Sequence, residues 1–549
     1  MLSFSLKNRE KDLKRLHQEE WDLLVIGGGI IGAGIAWDAA LRGLKVGLVE
    51  KKDFGWGTSG GSAKLIHGGL RYLKQGQLRL LHDVGKERAI LHKLAPHLVH
   101  PIHMMLPLYR GGSLGEFSTS LGLWIYDRLA GVKKEERRQM LSCEETQHLE
   151  PMFQAKNLLG SGYYVEYITN DARLTLDVIR SAYTAGAVCL NYTQALSFHY
   201  EENCVNGVIV KDLAGIKRLV KAKKIVNAAG PWADQLWEIN KSRRGKKQWL
   251  IKDVHIAVKL EKIPIKQPLY FDTQDGRMIF AIPRDTIVYI GATDTLYSDY
   301  TDHPTVSRED SRYLLQAIQK VFPRVKLQSS DIISSWAGVR PFTQSRKDQI
   351  LIASSGLITI AGGRLAEFRK MAQKVVDLIC RQLHVEENLS YGPCITELSP
   401  IMGGGADGGE GYAEWKKEWL DRVAKAGLPA HQAEEWIAAY GMSAENIIEE
   451  LGIRLNPQRK ISEVEAYEAV LQYSWEQEMI CRADDLFIRR TGFLFSQPNR
   501  FLQLLDQTIQ FLAEKQGWTA IEKEKEGERL IQLYHEATLN RLTLGRSYE

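Results

Sequence analysis

The feature that most constrains this chain is Gly27-Gly28-Gly29-Ile30-Ile31-Gly32, a GxGxxG run between the apolar stretch "DLLVIGG" and the helix-like "IIGAGIAWDAALRG". Glycines at this spacing let backbone approach a pyrophosphate, while the following helix offers amide hydrogens and the positive end of its dipole. A second apolar stretch, "LKVGLVE", ends on Glu50, about twenty residues further on, where an acid grips ribose hydroxyls. The spacing predicts a strand–helix–strand unit that binds a dinucleotide. The bland alternative is a glycine turn kept for packing.

The next residues favour one dinucleotide over another. A nicotinamide fold usually continues with further strand–helix units, whereas here the strand runs into "KKDFGWGTSGGSAKLIHGGLRY". Gly55, Gly57, Gly60 and Gly61 permit tight turns in that long polar loop, which suits the extended contacts FAD needs. Two later stretches agree. "KKIVNAAGPWAD" (223–234) is a strand ending in small residues, and "LITIAGGRLAEFR" (357–369) is a strand, a Gly-Gly turn and a helix start. Such a helix start can present amides to the electron-rich edge of a flavin.

At 549 residues, two or three domains are expected. A net charge of +5 is too slight and diffuse to point to nucleic acid. The six cysteines are scattered without a CxxC pair, which suits reduced thiols. No long apolar run predicts a spanning helix, and the charged N-terminus lacks the apolar core of a signal peptide. His92, His97, His100 and His103 cluster, but Pro96 and Pro101 break any shared face and no metal is expected. The glycine-rich "IMGGGADGGEG" (401–411) reads as a linker, after which nearly everything has helical periodicity.

Five stretches, "LIHGGLRYL", "GPWAD", "GATDT", "SSWAGVRP" and "AGGRLAEFRKMA", resemble the FAD-dependent, quinone-linked glycerol-3-phosphate dehydrogenases in order and separation. The resemblance runs from about Trp21 to Leu383, and "DLFIRRTG" (485–492) is similar to that family's C-terminal helical domain. It implies an α/β fold: a Rossmann-like FAD-binding domain of discontinuous segments, an α+β substrate domain with a mixed sheet, and an all-helical C-terminal domain. The expected division is a basic N-terminal arm at 1–20, an FAD domain from 21–100, 160–235 and 350–395, a substrate domain from 101–159 and 236–349, and the helical domain at 400–549. The implied reaction oxidises sn-glycerol 3-phosphate to dihydroxyacetone phosphate, with electrons passing through FAD to membrane quinone. The implied setting is cytoplasmic, peripheral on the inner face of the membrane, and the implied assembly is a homodimer.

The resemblance assigns the substrate to Arg71, Tyr72, His255, Arg340, Arg346 and Arg364, with His255 and Arg340 catalytic. A phosphomonoester leaving water needs paired donors, which arginine supplies as a planar fork, and a histidine titrating near neutrality suits the hydroxyl proton. Cofactor contacts are expected from Gly27, Gly29, Gly32, Glu50, Thr58, Ser59, Lys64, Leu65, His67, Gly68, Gly230, Gly362, Gly363, Arg364 and Leu365. Where the family carries lysine and small hydroxyl residues, this chain has Arg364, Ala366 and Glu367. The arginines also have a simpler reading as solvated loop residues, and His255 as a structural histidine. The alternatives are a glycerophosphate or amino-acid oxidase on the same scaffold, or a flavin-binding scaffold without turnover.

Overall fold

The computed structural model describes residues 3–66, 78–111, 120, 122–123, 137–240, 248–273, 275–298, 302–342, 349–405, 411–450 and 461–539. The two opening apolar stretches form parallel strands, Trp21–Ile26 and Val46–Val49, joined by helix Ile30–Leu41. They belong to a sheet ordered Gln349–Ile352, Ile358–Ala361, Lys217–Asn227, Trp21–Ile26, Val46–Val49, Val188–Leu190. All neighbours are parallel except the first pair, and buried valines, leucines and isoleucines fill the strands as a sheet covered on both faces requires. Helix Ile30–Leu41 packs against Asp171–Thr184 and Phe368–Glu387. Ile26 lies beside Asn227 across the pair, so Gly27 and Ala228 leave the sheet together and open a crevice beyond the strand ends.

A second, mostly antiparallel sheet carries the other half of the site. His100–Tyr109 pairs with Leu158–Ile168, and Trp249–Lys259 pairs with both Ile287–Gly291 and Ile332–Phe342. Helix Arg308–Val321 covers it with Leu314 and Ile318. The sequence reading gives residues 160–235 to the FAD domain, but the strand Leu158–Ile168 pairs within this second sheet. Its partner lies too far along the chain for any local pattern to mark. Leu65–Ile66 also joins this sheet, so the loop that leaves Val49 crosses from one sheet to the other.

The N-terminal segment is helical and packs on the body of the protein. Helix Leu6–Gln18 buries Leu16, and Arg9 donates to the Asn191 side chain at 2.9 Å and its carbonyl at 2.6 Å. Phe4 sits in the core, and its carbonyl accepts from the Met479 amide at 3.0 Å. Charge dominates this segment's composition, but a few buried side chains decide where it goes.

The C-terminal helices Tyr412–Lys425, Ala430–Tyr440, Glu463–Gln477, Pro498–Gln516 and Ala520–Ala537 enclose their own apolar clusters. Ser462 with Glu465 and Thr519 with Glu522 form capping boxes that fix two of the starts. Buried ion pairs dock this bundle. Arg173 meets Glu478 at 2.6 Å, and Asp53 receives Arg489 Nε at 2.5 Å and Arg490 Nη1 at 2.7 Å. Burial alone would raise the Asp53 pKa, but Arg490 and Arg489 hold it down at about 2.

That depressed pKa has a consequence for acid stability. The folded value lies below the ordinary carboxylate value of about 3.9, so the contribution is in force above about pH 4 and is lost as pH falls toward 2. Asp53→Asn is expected to cost on the order of 3 kcal/mol near neutral pH, because it leaves two buried guanidinium groups short of their anion. Urea unfolding of both proteins should show the difference shrinking at low pH; a difference independent of pH would contradict the clamp.

Candidate active site

The crevice is built around backbone that only glycine fits. Gly27 has φ +116°, and a Cβ there would lie 2.6 Å from the Ala228 carbonyl oxygen. A Cβ on Gly32 would lie 1.9 Å from the Gly27 oxygen, which locks the turn onto the first helical residues. Gly29 is the N-cap of helix Ile30–Leu41, and a Cβ on it would press on the Ser59 hydroxyl at 3.2 Å. That hydroxyl accepts from the Ile30 amide at 2.9 Å, where a pyrophosphate oxygen has its natural donor. Glu50 accepts from the Gly28 amide at 2.7 Å and the Lys52 amide at 2.8 Å. Burial raises its pKa, and those two amides oppose the rise. Gly230 (φ +55°), Gly362 (φ +99°) and Gly363 (φ +112°) turn the chain at the ends of the neighbouring strands, with Gly363 against Ile31. Glycine cradle, helix start and acid all fit a dinucleotide.

The glycine loop ties this crevice to the second sheet. A Cβ on Gly338 would sit 2.2 Å from the Gly61 oxygen, so the loop lies flat on strand Ile332–Phe342. Thr58 donates its hydroxyl to the Val339 carbonyl, and Trp336 Nε1 donates to the Ser62 carbonyl at 3.3 Å. Lys64, at φ +56°, donates to Asp171 at 2.7 Å, and the Ser62 amide reaches the other carboxylate oxygen at 2.9 Å. Leu65 then pairs with Ile168. Gly60 and Gly61 serve close backbone contact in this loop.

Strands Trp249–Lys259 and Ile332–Phe342 bring His255 and Arg340 to one sheet, with His255 opposite Trp336 and Arg340 opposite Ile251. The His255 ring is buried and stacked between Trp336 (centroids 5.2 Å apart) and Phe280 (5.7 Å). A Cβ on Gly291 would come within 2.3 Å of it. Arg340 Nε donates to Asp253 at 2.6 Å, and its Nη2 donates to Asp294. Arg364 begins the turn into helix Phe368–Glu387 and donates to Glu367 at 2.8 Å. Glu367 is therefore ion-paired with Arg364. His67, Gly68, Arg71, Tyr72 and Arg346 lie outside the described residues.

The sequence reading missed Asp53, Asp171, Asp253, Asp294, Arg489 and Arg490. Asp294, Arg489 and Arg490 lie inside the stretches "GATDT" and "DLFIRRTG" that carry the resemblance, and Asp253 sits two residues before His255 on a strand, hence on the same face. Of the histidine cluster, His97 is buried at 3.4 Å from Asp177, and His100 and His92 bond main-chain carbonyls. No group of three or more potential metal ligands occurs among the described residues.

A cavity of about 110 Å³ lies on the other face of the glycine loop. Trp56, Trp232, Ile488, Leu494, Phe495 and Leu533 give it an apolar lining, and backbone at Thr58, Gly60 and Gly61 forms one wall. Ser59 turns away from it, toward the Ile30 amide. The cavity and the Ser59 contact at the cofactor crevice thus share the same stretch of loop.

A parallel sheet with a glycine turn and an acid at its strand ends, facing a mixed sheet, defines a dinucleotide-dependent oxidoreductase. The model of the FAD dependent oxidoreductases matches residues 22–365, and that of the C-terminal domain of alpha-glycerophosphate oxidase matches 394–523. An aerobic glycerol-3-phosphate dehydrogenase of Bacillus subtilis (strain 168) is 42% identical over 546 residues, 98% of each chain. One from Staphylococcus aureus (strain USA300) is 43% identical over 550 residues, again 98% of each. The crystal structure of glycerol-3-phosphate dehydrogenase from Bacillus halodurans complexed with FAD superposes with a TM-score of 0.83 at 38% identity, covering 97% of this chain and 98% of that one. The chain belongs to the FAD dependent oxidoreductases, in the family of aerobic glycerol-3-phosphate dehydrogenases.

The close approach at Gly32 makes it the most sensitive point of the cradle. Gly32→Ala is expected to weaken FAD retention by about tenfold or more, since backbone rather than a flexible side chain must move. Flavin released on dilution, with circular dichroism as a check on folding, measures this. Full retention in a folded variant would exclude the turn as a cofactor contact.

Proposed function

We propose that this chain is an FAD-dependent dehydrogenase that oxidises sn-glycerol 3-phosphate to dihydroxyacetone phosphate and passes the electrons to a membrane quinone. The observation that carries the reading is identity of 42% to an aerobic glycerol-3-phosphate dehydrogenase over 98% of both chains, with the cradle residues in place. In this reading Gly27, Gly29 and Gly32 hold the pyrophosphate and Glu50 the ribose. Thr58, Ser59, Lys64, Leu65, His67, Gly68, Gly230, Gly362, Gly363, Arg364 and Leu365 would supply the cofactor's remaining contacts. Bound FAD supplies the acceptor for the hydride leaving C2.

The chain's own residues do the rest. His255 takes the C2 hydroxyl proton on a ring nitrogen, its plane fixed by Trp336 and Phe280. Arg340 and Arg364, with Arg71 and Arg346, would grip the phosphate as forked donors, and Tyr72 would add its single hydroxyl. The aromatic neighbours of His255 keep water from the reacting carbon. The largely apolar cavity at Trp56 and Phe495 supports an apolar electron acceptor, and its wall shares the loop residues 57–61 with the cofactor crevice. No helix among the described residues is long and apolar enough to cross a membrane, which favours approach to the quinone from a peripheral position. The scaffold reading keeps one supporting observation: Arg340 and Arg364 are already ion-paired to carboxylates.

Anaerobic addition of sn-glycerol 3-phosphate to the holoenzyme should bleach the oxidised-flavin absorbance. A protein that stays yellow at every substrate concentration and pH would overturn the reading in favour of the scaffold. For the acceptor, Leu494→Glu places a charge in the apolar cavity and is expected to raise the KM for a short-chain quinone by about tenfold or more. Flavin bleaching by substrate should keep its wild-type rate. Unchanged quinone kinetics would exclude this cavity as the acceptor's entry.

A further inference from the structure

We propose that Asp253 is a proton-coupled gate on Arg340: the substrate phosphate takes the guanidinium only as Asp253 takes up a proton. The proposal rests on the reading above, in which Arg340 receives the phosphate.

The geometry comes from two antiparallel strands. Asp253 faces Gly338 across the pair and Ile251 faces Arg340, so the arginine side chain reaches diagonally back to the carboxylate. Its Nε donates to Asp253 Oδ2 at 2.6 Å, and its Nη2 donates to Asp294. One positive charge thus stands between two negative ones, and the group carries a net negative charge before any ligand arrives. A phosphate dianion added to that group meets like charge at close range in a partly desolvated site. Arg364, Arg71 and Arg346 offset part of that repulsion in the reading above, and neutralising one carboxylate removes more of it.

Asp253 is the one placed to do so. Its Oδ1 is buried and has no hydrogen-bond partner among the described residues. Burial, with a push from the neighbouring Asp294, raises its pKa to about 6 against the pull of Arg340. The other charged groups nearby are engaged elsewhere. Lys252 bonds Asp310 at 2.6 Å, Arg277 bonds Asp275 and the Thr293 carbonyl, and Lys64 bonds Asp171. His255, on the same face two residues on, is held between two aromatic rings.

The exchange balances. Phosphate oxygens accept from the Arg340 fork, Asp253 releases Nε and takes a proton from solvent, and its new O–H donates to Asp294. The proton returns to solvent when product leaves. Asp253 is in this sense a positioning residue: it acts on the substrate through Arg340, holding the guanidinium in place while the site is empty.

The sign of the pH dependence follows. Below a pH of about 6 Asp253 is already protonated and the gate costs nothing. Above it, each pH unit weakens binding of the dianion by about tenfold relative to a protein without the gate. Asp253→Asn keeps an oxygen for Arg340 and removes the charge. It should tighten binding by up to about 100-fold near pH 8, where the ligand's own phosphate is fully ionised and contributes no slope.

The test titrates dihydroxyacetone phosphate into oxidised holoenzyme by calorimetry near pH 8, in two buffers of different ionisation enthalpy. Wild type should take up close to one proton per ligand and Asp253→Asn none, with the affinity ratio falling toward unity as pH is lowered through 6. Zero uptake by the wild type overturns the gate, and needs no variant. Equal pH slopes in the two proteins, or weaker binding by Asp253→Asn at every pH, overturn it as well. If neither protein binds the ligand and neither flavin is bleached by sn-glycerol 3-phosphate, the phosphate-substrate reading itself falls and takes the gate with it. Normal binding and bleaching without proton uptake sink the gate alone.

Discussion

The carboxylate of Asp53, held between Arg489 and Arg490, is the contact on which the rest of the site depends. It stands at the root of a glycine-rich loop that would otherwise be among the most mobile parts of the chain, since glycine gives up more backbone freedom on ordering than any other residue. Two guanidinium groups from the C-terminal domain fix that root, and Asn191 adds a donor to the same carboxylate at 3.0 Å. From there the loop can run flat along strand Ile332–Phe342 and enter the second sheet at Leu65 in one register. The cofactor crevice and the sheet bearing His255 and Arg340 are joined through it.

A single π-helical turn, Asp485–Arg490, makes this clamp possible. On a regular α-helix consecutive side chains diverge by about 100°, so two neighbouring arginines would not meet one carboxylate without distortion. The wider turn brings both to Asp53, and local irregularities of this kind recur where a protein needs an unusual side-chain placement. Most of the surrounding charged atoms are answered, Arg490 Nε alone in the clamp lacking a hydrogen-bond partner among the described residues. Arg489 also meets Asp485 at 2.8 Å, Arg529 meets Asp484 at 2.5 Å, and the Tyr192 hydroxyl donates to Asp485 at 2.6 Å. A buried ion network tolerates desolvation only when its members are hydrogen-bonded in this way.

What the sequence made legible was local. The glycine turn, Glu50 and the strand–helix–strand unit are specified within a few dozen residues by steric and dipolar rules. The partners that complete the site were not legible, because an ion pair such as Asp53 with Arg490 joins segments with no shared period. The same limit explains Leu158–Ile168: only pairing with His100–Tyr109 decides which sheet it joins. His255 is an intermediate case. Its place on a strand was readable, whereas the Trp336 and Phe280 rings that fix its plane come from other strands.

The pairing of Arg340 with Asp253 and Asp294, and of Arg364 with Glu367, follows from the same constraint as the clamp. A guanidinium cannot lose its charge, so in a crevice without ligand it must find anions or draw in water. Carboxylates from the chain keep each arginine extended and in place, and a phosphate then competes with them for donors that are already oriented. The cost of that competition falls on whichever carboxylate can most readily become neutral, and burial selects Asp253 for that role over the more exposed Asp294. Affinity for a dianion in such a site is set by how easily the resident anions yield as well as by the number of arginines. Two chains with the same arginines can therefore differ widely in the phosphate they accept and in the pH at which they accept it.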